Sequence, residues 1–595
     1  MIRAPKRDFG TLDTVGAVAA PLAAMTGGPE SVAEVVLAAF DAYHARFALI
    51  PELAKRAFEA RDWAGAVALS QERLAIFSIS LEELGRVIGP VPRDVAFWAE
   101  VGAAVDRLVA DRYEADLARA YFAALRRGVI GGAWAAEWFD HPRVESAADF
   151  VARFRPGAEM TAECVAEILQ LPEIDAPFAD LVSDAAAVAA RIRETLPGAL
   201  GAVEIVRAGF YRNRGAYIVG ALEVAGVRHP LALALLHRPE GLIVDAVILK
   251  GSTMSHLFSS TLANFHVDVP QYHALVDFLH RLMPGRPHGQ HYSTIGYNHV
   301  GKIAVYRQIM GEMAGAVFDH APGPRGSVAL GFTAPDLPFV LKLIRDRPTD
   351  QYKWGAFEGR AAVLAKYGIV HEYNRSGSML DNIMYTDIAL PAALFAEGFL
   401  AELLVEAGES VRREGADLVF AHLIVQRKLV PMPIFLEQCS AEDAEVAVIR
   451  LGQCIRNNAA MNVFNRDLDL RNYGVSSLRF VYLFEYDAVE PLTEVDVFTN
   501  AGREEGEEDV PDWFFESGPV FLPEELETHL RLPGRGLRRL FREAHGELLT
   551  KGWWDRMKGW LAEGRVPRVR TYPISTQLRG RVPPKNLSLE SLASD

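Results

Sequence analysis

From Ser31 onward, Val32, Val35, Val36, Phe40, Tyr43 and Phe47 recur at three- and four-residue steps, the stripe of an amphipathic helix. Ser31 with Glu34 predicts a capping box at its start, and Ser80 with Glu83 predicts a second helix start. Ala-rich segments keep helical spacing to about Leu196, so the first third of the chain is expected to be a helical assembly. The pattern then changes. Between Gly209 and Leu249 the runs GAYIVGALEV, HPLALALLH and GLIVDAVIL are β-rich and separated by Gly and Pro turn signals, which predicts a small sheet. Helical spacing resumes over Tyr272 to Met283 and Lys302 to Met313.

Three short strand-like runs follow, AVFDHA, SVALGFTA and FVLKLIRD, joined by PGPRG and PDLP. On a period-two strand Val340, Lys342 and Ile344 share one face. An ammonium in that aliphatic row needs an anionic partner, because burying it alone costs several kcal/mol. The competing reading is an edge-strand lysine that blocks aggregation. Ser440 and Asp443 open another helix running to about Asn458. WFFESGPVFLPEELETHL and LRRLFREAHGELL read as a loop and helices, and the sequence after Gln577 has too little apolar content to pack.

Composition narrows the function. A chain of 595 residues exceeds one ordinary core, so at least two domains are expected. With 62 Lys plus Arg against 77 Asp plus Glu the net charge is −15, which disfavours nucleic acid and anionic membrane surfaces as partners. Cys164, Cys439 and Cys454 are few and lack metal-site spacing, which suggests a reducing, cytoplasmic compartment. Arg3, Lys6 and Arg7 before Val15 to Met25 faintly suggest a secretory signal, but Asp8, Asp13 and Pro21 argue for a loose tail. No run approaches the roughly 18 apolar residues of a membrane span.

The chemistry concentrates in NRDLDLRN, Asn465 to Asn472. Protein kinases carry HRDLxxxN, in which the Asp orients the substrate hydroxyl and the Asn five positions on holds magnesium. Arg466, Asp467 and Asn472 keep that spacing, with Asn465 in place of the histidine. Eighteen residues after Asp467, Glu485 and then Asp487 stand where a second metal carboxylate is needed. A glycine-containing turn, a strand lysine, a loop Asp and a metal carboxylate follow in kinase order, without GxGxxG or DFG.

The motifs FDAYHARF, FYRNRGAYIVG, APGPRGS, VLKLIRD, NVFNRDLDLRNYGV, TEV at Thr493 to Val495 and PEEL resemble the bifunctional isocitrate dehydrogenase kinase/phosphatases of bacteria from about Ser31 to about Tyr572. That resemblance implies an α+β chain: a mainly helical regulatory domain with a small sheet over 31–315, and a bilobal protein-kinase-like domain over 316–578. Tails are expected at 1–30 and 579–595. The implied activity is phosphorylation of a serine on isocitrate dehydrogenase and removal of that phosphate, steering carbon between the Krebs cycle and the glyoxylate bypass.

Carried over by position, the resemblance puts the nucleotide loop on Ala321, Pro322, Gly323, Pro324, Arg325, Gly326 and Ser327, and the ATP-binding lysine on Lys342. Asp467 would be catalytic, Asp381 would serve the phosphatase reaction, and Asn472, Glu485 and Asp487 would hold Mg²⁺. VQRKLVP, Val425 to Pro431, would contact adenine. ATP or ADP is the implied nucleotide, AMP an allosteric ligand of the helical domain, and a homodimer is left open. Four departures stand out: Glu485 for Asp, Arg471 for Lys, Gln426 for Glu, and NHVGKI at Asn298 to Ile303 for a Lys-His-Gly-Lys-Thr segment. A degenerate member that binds nucleotide or isocitrate dehydrogenase without efficient chemistry is therefore the alternative reading.

His288, His291 and His299 could suggest a metal site but lack helical HxxxH spacing, so solvated or capping histidines are expected. REEGEEDVPD, Arg503 to Asp512, reads as a solvated loop or a docking segment. Tyr211, Arg212 and Arg214 could reach a phosphate or pin the sheet to the helices.

Overall fold

The computed structural model describes residues 28–578 apart from 89–90, 135–142, 145, 147–148, 156, 260–264, 324, 351, 353–356, 376 and 501–519. The acidic run at 503–512, Pro324 and the C-terminal tail expected from 579 lie outside the described residues. So does the N-terminal tail as far as 27, while Pro29 and Glu30 already belong to the first helix, Pro29–Glu59.

That helix starts at a proline, whose fixed φ and missing N–H suit a first helical position. Gly28 is its N-cap with no side-chain bond, so the capping box expected at Ser31 does not form. The stripe itself packs as read, with Val32, Val36, Phe40 and Ile50 wholly buried. Ser80 likewise caps nothing. It lies inside Trp63–Val87, which Asp62 caps by accepting from the Gly65 N–H at 2.8 Å. With no breaker ahead of Ser80 the helix runs through it, and the buried hydroxyl pairs with Tyr121 Oη at 2.5 Å.

Helices Val95–Val109 and Ala115–Ile130 complete this layer and pack on an antiparallel seven-stranded sheet. Its main strands, Leu200–Val206, Gly215–Val224, Val227–Arg238 and Gly241–Ile248, are adjacent in space as in sequence. Helices Ala162–Gln170 and Leu181–Thr195 cover the other face. Burial on both faces explains why GLIVDAVI is apolar apart from Asp245 and does not alternate.

The second half has two lobes. The upper one is a six-stranded antiparallel sheet in which Phe339–Ile344 lies between Ala329–Thr333 and Asp417–Arg427. Lys342 is thus on an interior strand, which overturns the edge-lysine reading. The lower lobe is built on helix Ala441–Ala460, capped by Ser440 accepting from the Asp443 N–H at 3.1 Å. Helices Leu526–Leu530, Arg535–His545 and Lys551–Ala562 pack around it through Leu451, Phe541, Trp553 and Trp554.

The chain's last described stretch returns to the first domain. Buried Asp245, in the middle of Gly241–Ile248, accepts from Tyr572 Oη at 2.6 Å, Arg568 Nη2 at 2.9 Å and Gln577 Nε2 at 3.0 Å. Three donors satisfy one buried carboxylate, so its desolvation is offset and the second domain is pinned to the first sheet.

Candidate active site

A cleft of about 570 Å³ opens between the two lobes. Val340, Lys342 and Ile344 all line it, as the period-two reading of their strand requires. Lys342 is buried and finds the expected partner in Glu485, with Nζ 2.8 Å from Oε1. It also donates to the Phe484 carbonyl at 3.0 Å and stands 4.7 Å from that ring's centroid.

From the lower lobe the loop after strand Val463–Asn465 brings Asp467 and Asn472 to the same cleft. Asn465, the replacement for histidine, holds the turn from both sides. Its Oδ1 accepts from the Asp467 N–H at 3.1 Å and its Nδ2 donates to the Asp467 carbonyl at 2.9 Å. Asn472 Nδ2 donates to the same carbonyl at 2.7 Å, which leaves its Oδ1 as an acceptor. The Asp467 carboxylate carries none of this scaffolding.

Three carboxylates, Asp467, Glu485 and Asp487, share this end of the cleft with one ammonium. Asp487 registers the crowding. Burial first, then the charges of Glu485 and Asp467, push its carboxyl up to about 6. Glu485 is engaged on both oxygens, Oε1 by Lys342 and Oε2 by Tyr367 Oη at 3.4 Å. Among the described residues no three His, Cys, Asp or Glu side chains converge as a ready cation cage. Magnesium does not need one, because it takes one or two carboxylates and fills its octahedron with water and phosphate oxygens. A surplus of negative charge beside a free amide oxygen fits that ion.

The loop above is shaped for close approach. Gly323 sits at φ +117°, and a Cβ there would stand 3.1 Å from Pro431 Cγ. A Cβ on Gly326 would lie 2.8 Å from the Ala329 carbonyl oxygen. Ala321, Pro322, Arg325, Gly326 and Ser327 line the cleft, and Gln426, Arg427, Leu429 and Pro431 from the connecting segment line its back. Gln426 is tied to the Phe484 carbonyl at 3.2 Å.

Asp381 is elsewhere. Its neighbour Leu380 lines the cleft, but the Asp381 carboxylate lies buried behind it and accepts from Arg286 Nη2 at 3.0 Å. Arg286 comes from the first domain, between helices Tyr272–Leu282 and His288–Thr294. Burial drives the Asp381 carboxyl above the usual range and Arg286 opposes that rise. Asp381 Oδ1 and both ring nitrogens of His291 have no hydrogen-bond partner among the described residues.

The histidines are not solvated as expected. His291 is fully buried, His299 is partly buried and stacks on Phe77 with centroids 3.6 Å apart, and half-buried His288 lies 2.8 Å from Asp277. The FYRN arginines pin the sheet: Arg212 Nη1 donates to the Leu257 carbonyl at 2.9 Å and its guanidinium lies over Phe265. Sequence reasoning missed Tyr367, Arg286 and Arg531, which come from distant elements and follow no local motif.

A strand lysine and an Asp/Asn loop, facing each other across two lobes, define a phosphotransferase of the protein-kinase type. Residues 316–574 match the kinase domain, and residues 33–316 the regulatory domain, of isocitrate dehydrogenase kinase/phosphatase (AceK). The chain belongs to that family. It is 44% identical over 572 residues to the isocitrate dehydrogenase kinase/phosphatase of Rhodopseudomonas palustris strain HaA2, covering 92% of this chain and 93% of the relative. Similarity extends to the proteins of the same name from Anaeromyxobacter dehalogenans strain 2CP-C, 32% identical with 92% and 97% covered, and Bordetella bronchiseptica strain RB50, 30% identical with 93% and 96% covered. None of the described helices is long and apolar enough to cross a membrane.

Proposed function

We propose that this protein phosphorylates a serine of isocitrate dehydrogenase and also removes that phosphate, and so sets flow between the Krebs cycle and the glyoxylate bypass. One observation carries the reading: Lys342 from the upper sheet and Asp467 and Asn472 from the lower loop line a single cleft. Such convergence favours phosphoryl transfer over nucleotide binding alone, because it assembles the groups that act on the transferred phosphoryl.

The assigned nucleotide is ATP or ADP, with its phosphates under the 321–327 loop and beside Lys342. Mg²⁺, when bound, neutralises charge on the phosphates. Asn472 Oδ1 and Asp487 are its assigned ligands, with Glu485 secondary because Lys342 and Tyr367 engage both its oxygens. Asp467 orients the serine hydroxyl and takes its proton as the oxygen–phosphorus bond forms and the bond to ADP breaks. In the second reaction water attacks the phosphoserine phosphorus, the bond from the serine oxygen to phosphorus breaks, that oxygen takes a proton and inorganic phosphate leaves. Asp381 is assigned to that half through the family resemblance, as is AMP as an allosteric ligand of the helical domain.

Purified protein incubated with γ-labelled ATP and isocitrate dehydrogenase should label a serine, and should release the label from phosphorylated substrate. Asp467→Ala should lower transfer by about a hundredfold or more. Absence of both reactions despite tight partner binding would leave the degenerate-member reading.

A further inference from the structure

We propose that Arg531 and Arg471, bridged by the carboxylate of Asp469, form a guanidinium seat for the phosphoserine of the protein substrate; this rests on the function proposed above.

Asp469 is buried, caps the turn Leu470–Asn472 and accepts from the Arg471 N–H at 2.9 Å. Its Oδ1 is 3.1 Å from Arg471 Nε and its Oδ2 is 3.5 Å from Arg531 Nη1. One carboxylate thus faces two guanidinium groups, and the Asp467 carboxylate also acts on Arg471, so among the described residues Arg531 pairs only with the carboxylate it shares. Both arginines line the cleft that holds Asp467. Arg531 directly follows helix Leu526–Leu530, at a backbone φ of +54°.

The other cationic side chains of the cleft are occupied differently. Lys342 is held by Glu485, Arg325 by Glu402 and Arg345 by Glu406, while Arg427 stands near Asp381 behind the cleft. The end of the cleft around Asp487 therefore carries excess negative charge, while Arg531 and Arg471 present partly exposed guanidinium groups that share the Asp469 carboxylate. A nucleotide with its cation suits the former. A phosphate monoester presented on a protein suits the latter, because guanidinium groups pair with phosphate oxygens in a forked geometry.

The two reactions differ in what reaches this mouth. Phosphorylation brings a neutral hydroxyl and dephosphorylation brings a dianion, so Arg531 should weigh on the second more than on the first. It is a positioning residue and no proton passes through it.

The test measures kcat and KM in both directions for wild type, Arg531→Gln and Arg531→Lys, along with the KM for ATP and thermal melting. Arg531→Gln should raise the KM for phosphorylated isocitrate dehydrogenase about tenfold, and at least about fivefold more than the KM for the unphosphorylated form. Arg531→Lys, which keeps the charge but loses the fork, should fall between the two and carries the test if the glutamine variant does not fold. Equal losses in both directions would overturn the inference. So would a rise confined to the KM for ATP, which would assign Arg531 to the nucleotide's terminal phosphate. An inactive wild type would remove the functional reading and this inference together, whereas an active wild type with an unmoved ratio removes the inference alone.

Discussion

Lys342 Nζ and Glu485 Oε1 lie 2.8 Å apart across the cleft, and this pair joins the upper sheet to the loop that follows the lower lobe's strands. Glu485 is one methylene longer than the aspartate expected at its position. The extra length, about 1.5 Å, gives the carboxylate the reach to meet the ammonium directly.

Lys342→Met should therefore separate two effects. Removing the ammonium withdraws a phosphate contact, and phosphoryl transfer should fall by about a hundredfold. It also leaves Glu485, and Asp487 beside it, without the ammonium that partly offsets their charge. Mg²⁺ binding in the absence of nucleotide should accordingly tighten, as read by titration calorimetry. Weaker metal binding in the variant would contradict the charge balance described for the cleft.

Asp487 supplies a pH dependence with a definite sign. Its carboxyl is raised from 3.8 to about 6 in the folded protein, so between those values the folded state holds a proton that the unfolded state has lost. Its contribution to stability is greatest at the acid end of that window and declines as pH rises through 6. Melting of the metal-free protein should show this slope, and Asp487→Asn should flatten it. Saturating Mg²⁺ should remove the slope, because the cation's charge favours the carboxylate form.

The buried Arg286–Asp381 pair couples the two domains at 3.0 Å. Arg286→Ala leaves a buried carboxylate without its cation and should cost about 3–5 kcal/mol of stability. Adding Asp381→Asn to that variant should recover part of the loss, because the unpaired charge is gone. A double-mutant cycle in which the two losses simply add would show that the pair is not coupled.

Local pattern made much of the fold legible. The stripe from Val32 to Phe47, the largely apolar runs of the first sheet and the Ser440 cap each place an element, because periodicity and capping are properties of neighbouring residues. The same local rules misplaced two helix starts. Ser31 and Ser80 have the spacing of capping boxes, but an N-cap forms only where the chain enters the helix, and Gly28 with Pro29, and Asp62, had already set those points. The spacing within NRDLDLRN likewise survives as geometry, since Asn472 reaches back to the Asp467 carbonyl at 2.7 Å within one turn of chain.

By itself the sequence determined the elements, the family and the order of the chemical groups along the chain. Only the tertiary structure decided which charges face one another: Lys342 against Glu485, Asp381 against Arg286 of the other domain, and Arg471 and Arg531 around Asp469. The physical reason is range. Hydrogen-bonded periodicity is written over a few residues, whereas the energy of a charge depends on every group within several ångströms and on its depth from water, and packing alone fixes both.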